Sequence, residues 1–152
     1  MSVKNLTEAI EFAISQEINA ANIYKKLMDL STEESNKKLF KDLMDMEYDH
    51  KRRLETLDIL DYQVEHSMES IQDLKLTDYL VIPDERVDLS YQDALILAAK
   101  RELKSFEMYE KFAQQFAENE VLKEFFYVMA NEEKLHKIKI EKMYEDKVIQ
   151  EN

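Results

Sequence analysis

Two stretches of the chain pair a carboxylate with an imidazole at the same spacing. In MEYDHKRRLETL, which begins at Met46, Glu47 stands three residues before His50; Glu133, 86 positions after Glu47, again stands three residues before its histidine, His136. On a helix that spacing puts both side chains on one face about one turn apart, so both can reach one cation. All four residues fall where the apolar spacing of their helices asks for a core residue, and Glu17 and Glu102 do the same in two other segments. Buried carboxylates without compensation lose their hydration and repel one another. Two divalent cations would balance the four Glu charges. The chemistry on offer is therefore that of paired metal ions, with the protein setting their spacing and charge.

Those six residues need four helices to hold them. Apolar positions recur at steps of three and four through each. The first helix runs Leu6, Ile10, Ala13, Glu17, Ala20, Tyr24, Leu27, with Asn5 or Thr7 to cap it and Ser31-Thr32 to end it. The second runs Phe40, Leu43, Glu47, His50, Leu54, Leu57, with Ser31 or Thr32 as its expected N-cap. The third opens near Ser90, with Asp93 completing a short capping box, and runs Leu95, Ala98, Glu102, Ser105, Tyr109, Phe112, Phe116. The fourth runs Leu122, Phe126, Met129, Glu133, His136, Ile140, Met143. Short links at Ser31 to Ser35 and Ala117 to Glu120 make two antiparallel hairpins, 4–61 and 90–148. The stretch 62–89 between them holds Pro83 and is long enough to cross the bundle; Ile71 to Leu80 is expected to form a short helix within it. One long crossover between two hairpins is ferritin-like connectivity, so the chain 1–152 is expected to be a single all-α, four-helix domain.

The second hairpin repeats the first. A shift of 85 places Glu17 on Glu102, Tyr24 on Tyr109 and Leu27 on Phe112. A shift of 86 places Phe40 on Phe126, Glu47 on Glu133, His50 on His136, Leu54 on Ile140 and Leu57 on Met143. One residue of loop length accounts for the change.

Composition narrows the field further. The 152 residues include no Gly, no Trp and a single Pro, which a β protein with tight turns would not tolerate. Cys is absent, so disulfides, Cys-ligated zinc, iron–sulfur clusters and thiol catalysis are excluded within this chain. A formal charge of −12 argues against nucleic acid or an anionic membrane as partner. No run of about 18 apolar residues is present. The start, MSVKNLTEAIEFAISQE, lacks the apolar core of a signal peptide, so a cytoplasmic location is expected.

One Glu from each of two helices and Glu-x-x-His from each of two others is the ligand set of di-iron and di-manganese carboxylate bundles. With Glu17 and Tyr24, Glu47-Tyr48-Asp49-His50, Glu102 and Tyr109, and Glu133-Lys134-Leu135-His136, the chain resembles a rubrerythrin-type protein of the ferritin-like superfamily over all but the crossover. The resemblance implies two iron ions, with manganese or a mixed pair as alternatives. It implies Glu17 and Glu102 as terminal or bridging ligands, Glu47 and Glu133 as commonly bridging ligands, and His50 and His136 as one nitrogen ligand per metal. Tyr24 and Tyr109 would hydrogen-bond ligand carboxylates. The sequence departs from the family at Ser105, where rubrerythrins carry a further Glu, and in lacking the Cys of a rubredoxin-like site. What remains is six ligands, nearer the bacterioferritin count, and any electron donor would be a separate protein.

Other residues compete for notice. Glu132 lies four before His136, but its repeat counterpart is Met46, which has no carboxylate; Glu133 is the better ligand and Glu132 is left as an outer acid. Tyr24 and Tyr109 also read as plain core aromatics. His66 lacks a matching Glu and reads as solvated. The eight Met and Phe12, Phe106, Phe125 and Phe126 read as core or dimer packing, and Lys51-Arg52-Arg53 as an exposed face. The leading expectation is a non-haem di-iron protein that reacts with hydrogen peroxide or dioxygen in oxidative-stress protection, working as a peroxidase. A ferritin-like ferroxidase for iron storage or delivery is the second, and a metal-free helical scaffold the third. A homodimer is expected by analogy with the family.

Overall fold

The computed structural model describes residues 2–3, 6–57, 74–75 and 90–151, with side chains described for 6–57 and 90–150. Among the described residues four helices dominate: α1 (Leu6–Leu30), α2 (Glu34–Glu55), α3 (Tyr91–Gln115) and α4 (Glu120–Glu151), with α1 packed on α2, α3 on α4, and α1 on α3. The chain is an all-α four-helix bundle of the ferritin-like kind. Two short strands, β1 (Ser2–Val3) and β2 (Leu74–Lys75), pair antiparallel with Ser2 opposite Lys75 and Val3 opposite Leu74. That pairing corrects the expectation of a helix over Ile71 to Leu80 at its Leu74 and Lys75. The rest of that segment, with Pro83 and His66, lies outside the described residues.

Each helix begins and ends for a local reason. The Ser90 hydroxyl accepts a hydrogen bond from the Asp93 backbone N–H at 3.1 Å, as the capping box predicts. Asn119 Oδ1 accepts from the Val121 and Leu122 N–H groups at 3.0 and 3.1 Å and so caps α4, a role the sequence reading did not assign. At α2 the expected Ser31 or Thr32 cap is not used: the N-cap is Glu33, which makes no side-chain hydrogen bond. Ser31 is drawn the other way, its hydroxyl donating to the Leu27 carbonyl at 2.6 Å in the last turn of α1. The chain has no Gly, and among the described residues no φ is positive. Helices therefore end without the left-handed cap that Gly usually supplies: Thr56 closes α2 at φ −87, ψ −6, and Phe116 closes α3 at φ −104, ψ 25.

The core divides into two apolar layers. One gathers Leu6, Ile10, Ala13, Leu54, Met108, Tyr109, Phe112, Phe116, Leu122, Phe126 and Met129. The other gathers Ile23, Tyr24, Leu27, Phe40, Leu43, Leu95, Ala98 and Ile140. Going up α1 and α4 the chain passes from the first layer to the second, and along α2 and α3 it passes back. Every helix therefore crosses the space between the layers, and each does so at its acids and histidines. Rings brace the first layer: Phe126 lies 5.4 to 6.2 Å, centroid to centroid, from Tyr109, Phe112, Phe116 and Phe125. Phe12, Phe106 and Phe125 are partly buried against the same layer.

Candidate metal centre

Glu17 comes from α1, Glu47 and His50 from α2, Glu102 from α3, and Glu133 and His136 from α4; none is more than 1% exposed. The structure brings all six expected residues together. Their donor atoms fall into two overlapping sets, Glu17–Glu47–His50–Glu133 and Glu47–Glu102–Glu133–His136, each with its atoms within 4.8 Å of one another. Glu47 and Glu133 belong to both sets, while Glu17 and Glu102 belong to one each.

The two sets are related by the internal repeat. His50 Nδ1 lies 2.8 Å from Glu133 Oε1, 3.5 Å from Glu17 Oε2 and 3.9 Å from Glu47 Oε2. His136 Nδ1 lies 2.8 Å from Glu47 Oε1, 3.6 Å from Glu102 Oε2 and 3.7 Å from Glu133 Oε1. The imidazole rings stack at 5.8 Å and 14°. The tyrosines cross between hairpins: Tyr109 on α3 donates to Glu17 Oε1 at 2.6 Å, and Tyr24 on α1 donates to Glu102 Oε1. Burial, then the neighbouring carboxylates, push both phenols well above their usual range, so they remain donors.

The cluster is short of positive charge. Two carboxylates about 4 Å apart repel by about 4 kcal/mol even at an effective dielectric of 20. Protons take up the strain in the metal-free chain. Burial and then the nearby acids raise Glu47 and Glu133 well above the usual carboxylate range. At His50 burial opposes the charge, but Glu132, Glu133 and Glu17 outweigh it and push the imidazole up to about 12. Burial also acts to raise Glu17, yet its contacts with Glu47, His50 and Tyr109 leave it below the usual value.

The donor set suits metal ions. Glu17 Oε2, Glu47 Oε2, Glu102 Oε2, both Glu133 oxygens and His50 Nδ1 are buried without a hydrogen bond. Buried polar atoms are rarely left so. His50 Nδ1 and Glu133 Oε1 touch but are not aligned as donor and acceptor, as lone pairs aimed at a shared third point would be. Carboxylate oxygen and imidazole nitrogen together accept iron, manganese or zinc. The cluster thus has the composition of a di-metal site.

Glu132 stands apart from the two sets. It faces the outer nitrogen of His50, with Oε2 3.6 Å from Nε2, and receives Arg53 Nη2 on both oxygens at 3.0 and 2.9 Å. Contact with His50, aided by Arg53, holds its carboxyl at about 2. Arg53, grouped by the sequence with an exposed basic face, is half-buried and also meets Asp49 Oδ2 at 3.1 Å. Two further residues escaped the sequence reading. Arg101 is buried next to Glu102 and donates through Nη2 to the Gln16 carbonyl at 2.9 Å and to Gln16 Oε1 at 2.8 Å, tying α3 to α1. The shift of 85 that matches Glu17 with Glu102 also matches Gln16 with Arg101, but a positional match does not say that either side chain turns inward. Ser105 is buried one turn beyond Glu102.

The sequence profile of the family described as Rubrerythrin matches residues 1–58 and 93–152, which leaves out the crossover. No curated protein and no solved structure matches the chain. No described helix is long and apolar enough to cross a membrane.

Proposed function

The chain belongs to the rubrerythrin family, and on that premise we propose that it is a non-haem di-iron protein that reduces hydrogen peroxide or dioxygen. The observation that supports the reading is the pair of donor sets, buried between two apolar layers, in which one oxygen each of Glu17, Glu47 and Glu102, both of Glu133, and His50 Nδ1 have no hydrogen bond. Glu17, Glu47, His50 and Glu133 would hold one ion, and Glu47, Glu102, Glu133 and His136 the other. With two ferrous ions bound, hydrogen peroxide would take one electron from each and two protons from solvent and leave as two waters.

The chain's own residues prepare the site for that. Tyr109 and Tyr24 each hold one oxygen of a terminal carboxylate, so Glu17 and Glu102 present the other inward. Arg101, locked on Gln16, adds a positive charge beside the acids. The aromatic layer beneath, centred on Phe126, keeps bulk water away. A separate protein would supply electrons, since the chain has no Cys for a second iron site. Manganese or a mixed pair would satisfy the same donors.

A second reading, ferroxidase work in iron storage or delivery, is favoured by Ser105, which leaves six ligands where rubrerythrins offer another Glu. Loading the protein with Fe(II) without oxygen, then adding hydrogen peroxide or dioxygen separately, tests the two. Faster oxidation by peroxide supports the peroxidase, and faster oxidation by dioxygen the ferroxidase. A protein that takes up no iron would be the helical scaffold instead. The proposal also includes a homodimer in the cytoplasm, with no nucleic acid or membrane partner.

A further inference from the structure

The internal repeat makes the two donor sets nearly alike, so the place where it fails is informative. Glu132 faces His50 Nε2 across the gap between α4 and α2. The repeat puts Met46 at the equivalent position on α2, where it would serve His136. Met46 offers no carboxylate; among the described residues both outer nitrogens, His50 Nε2 and His136 Nε2, are buried without a hydrogen bond, and only His50 Nε2 has an acid beside it, Glu132 Oε2 at 3.6 Å. Glu132 itself is fixed: Arg53 meets both of its oxygens and is braced from behind by Asp49.

We propose that Glu132, held by Arg53, is a positioning residue for His50 and makes the two metal positions unequal, the one served by His50 tight and the one served by His136 weak. A metal-binding imidazole that donates its outer N–H to a carboxylate is fixed in tautomer and orientation and is a better ligand. At 3.6 Å, Glu132 Oε2 stands just beyond hydrogen-bond length from Nε2, on the side of the ring away from the donor set. It therefore acts through His50 and not as a ligand. Losing such a partner weakens metal affinity about 10–100-fold. The inference deepens the two-ion reading of the site and rests on it.

Zn(II) titrated into the full metal-free chain, followed by long-range proton–nitrogen NMR of the imidazoles, tests it. The His50 Nδ1 signal is expected to move during the first equivalent and the His136 Nδ1 signal during the second. Repulsion between two bound ions also separates two binding steps, but it does not choose a histidine and it survives in Glu132→Gln. In that variant the two signals are expected to move together, with the tighter affinity lowered about 10–100-fold. Met46→Glu supplies the missing acid and is expected to tighten the weaker step. Signals that move together in the unaltered chain, or an unchanged order in Glu132→Gln, would overturn the proposal. If neither signal moves with zinc, the two-ion reading itself falls.

Discussion

At Glu132 and Glu133 one step of helix rotation separates two carboxylates with different work. Glu133 touches His50 Nδ1 from inside the cluster, whereas Glu132 faces Nε2 from outside. Glu133→Ala is expected to abolish binding of the metal pair, while Glu132→Ala still binds two ions at saturating metal; elemental analysis after anaerobic loading separates them. Tyr109→Phe removes the hydrogen bond to Glu17 Oε1 and is expected to weaken metal binding about 10–100-fold, read by competition with a chelator. That the six residues of the cluster would be buried together was legible in the sequence because each interrupts an apolar stripe and the repeat pairs each with a counterpart in the other hairpin. The placing of Gln16, Arg53 and Arg101 was not. Long polar side chains are ordinarily solvated, and only a fold shows that Arg101 turns inward and Arg53 reaches a second helix.

Among the elements, caps divide into those written locally and those decided by competition. Ser90 and Asp93 sit three apart with nothing to rival them, and the Ser90 hydroxyl caps the Asp93 N–H. Ser31 lies between two helices and its hydroxyl serves the end of α1, which sequence alone left open. The strand at Leu74–Lys75 needs β1 as its partner, so no local pattern could declare it. Asn119 closes two N–H groups of α4, and Asn119→Ala is expected to lower stability by about 0.5–2 kcal/mol in urea unfolding of the metal-free protein. Unchanged stability would mean that tertiary packing alone sets the start of α4.

For the whole molecule, the polar layer between two apolar ones ties folding to charge. In the metal-free chain Glu47 and Glu133 hold protons above their ordinary value of 4.5, and His50 holds one from 6.5 up to about 12. Groups raised in the folded state stabilise at low pH and lose that contribution as pH rises through the folded value. Glu17 and Glu132 are lowered, so their contribution is already complete well above 4.5. From about pH 6.5 to pH 8 the metal-free protein is therefore expected to lose stability as pH rises, by up to about 1.4 kcal/mol per pH unit for the proton that His50 retains. Thermal melts at several pH values would show it, and a rise in stability over that range would contradict it. Metal loading should reverse the trend, because cations displace those protons.

The most direct measurement is anomalous scattering at the iron edge from crystals of the iron-loaded protein. The account predicts two peaks about 3–4 Å apart, the spacing of two-metal sites. One would lie among Glu17, Glu47, His50 and Glu133, and the other among Glu47, Glu102, Glu133 and His136. A single peak, peaks at other residues, or none between the helices would contradict it.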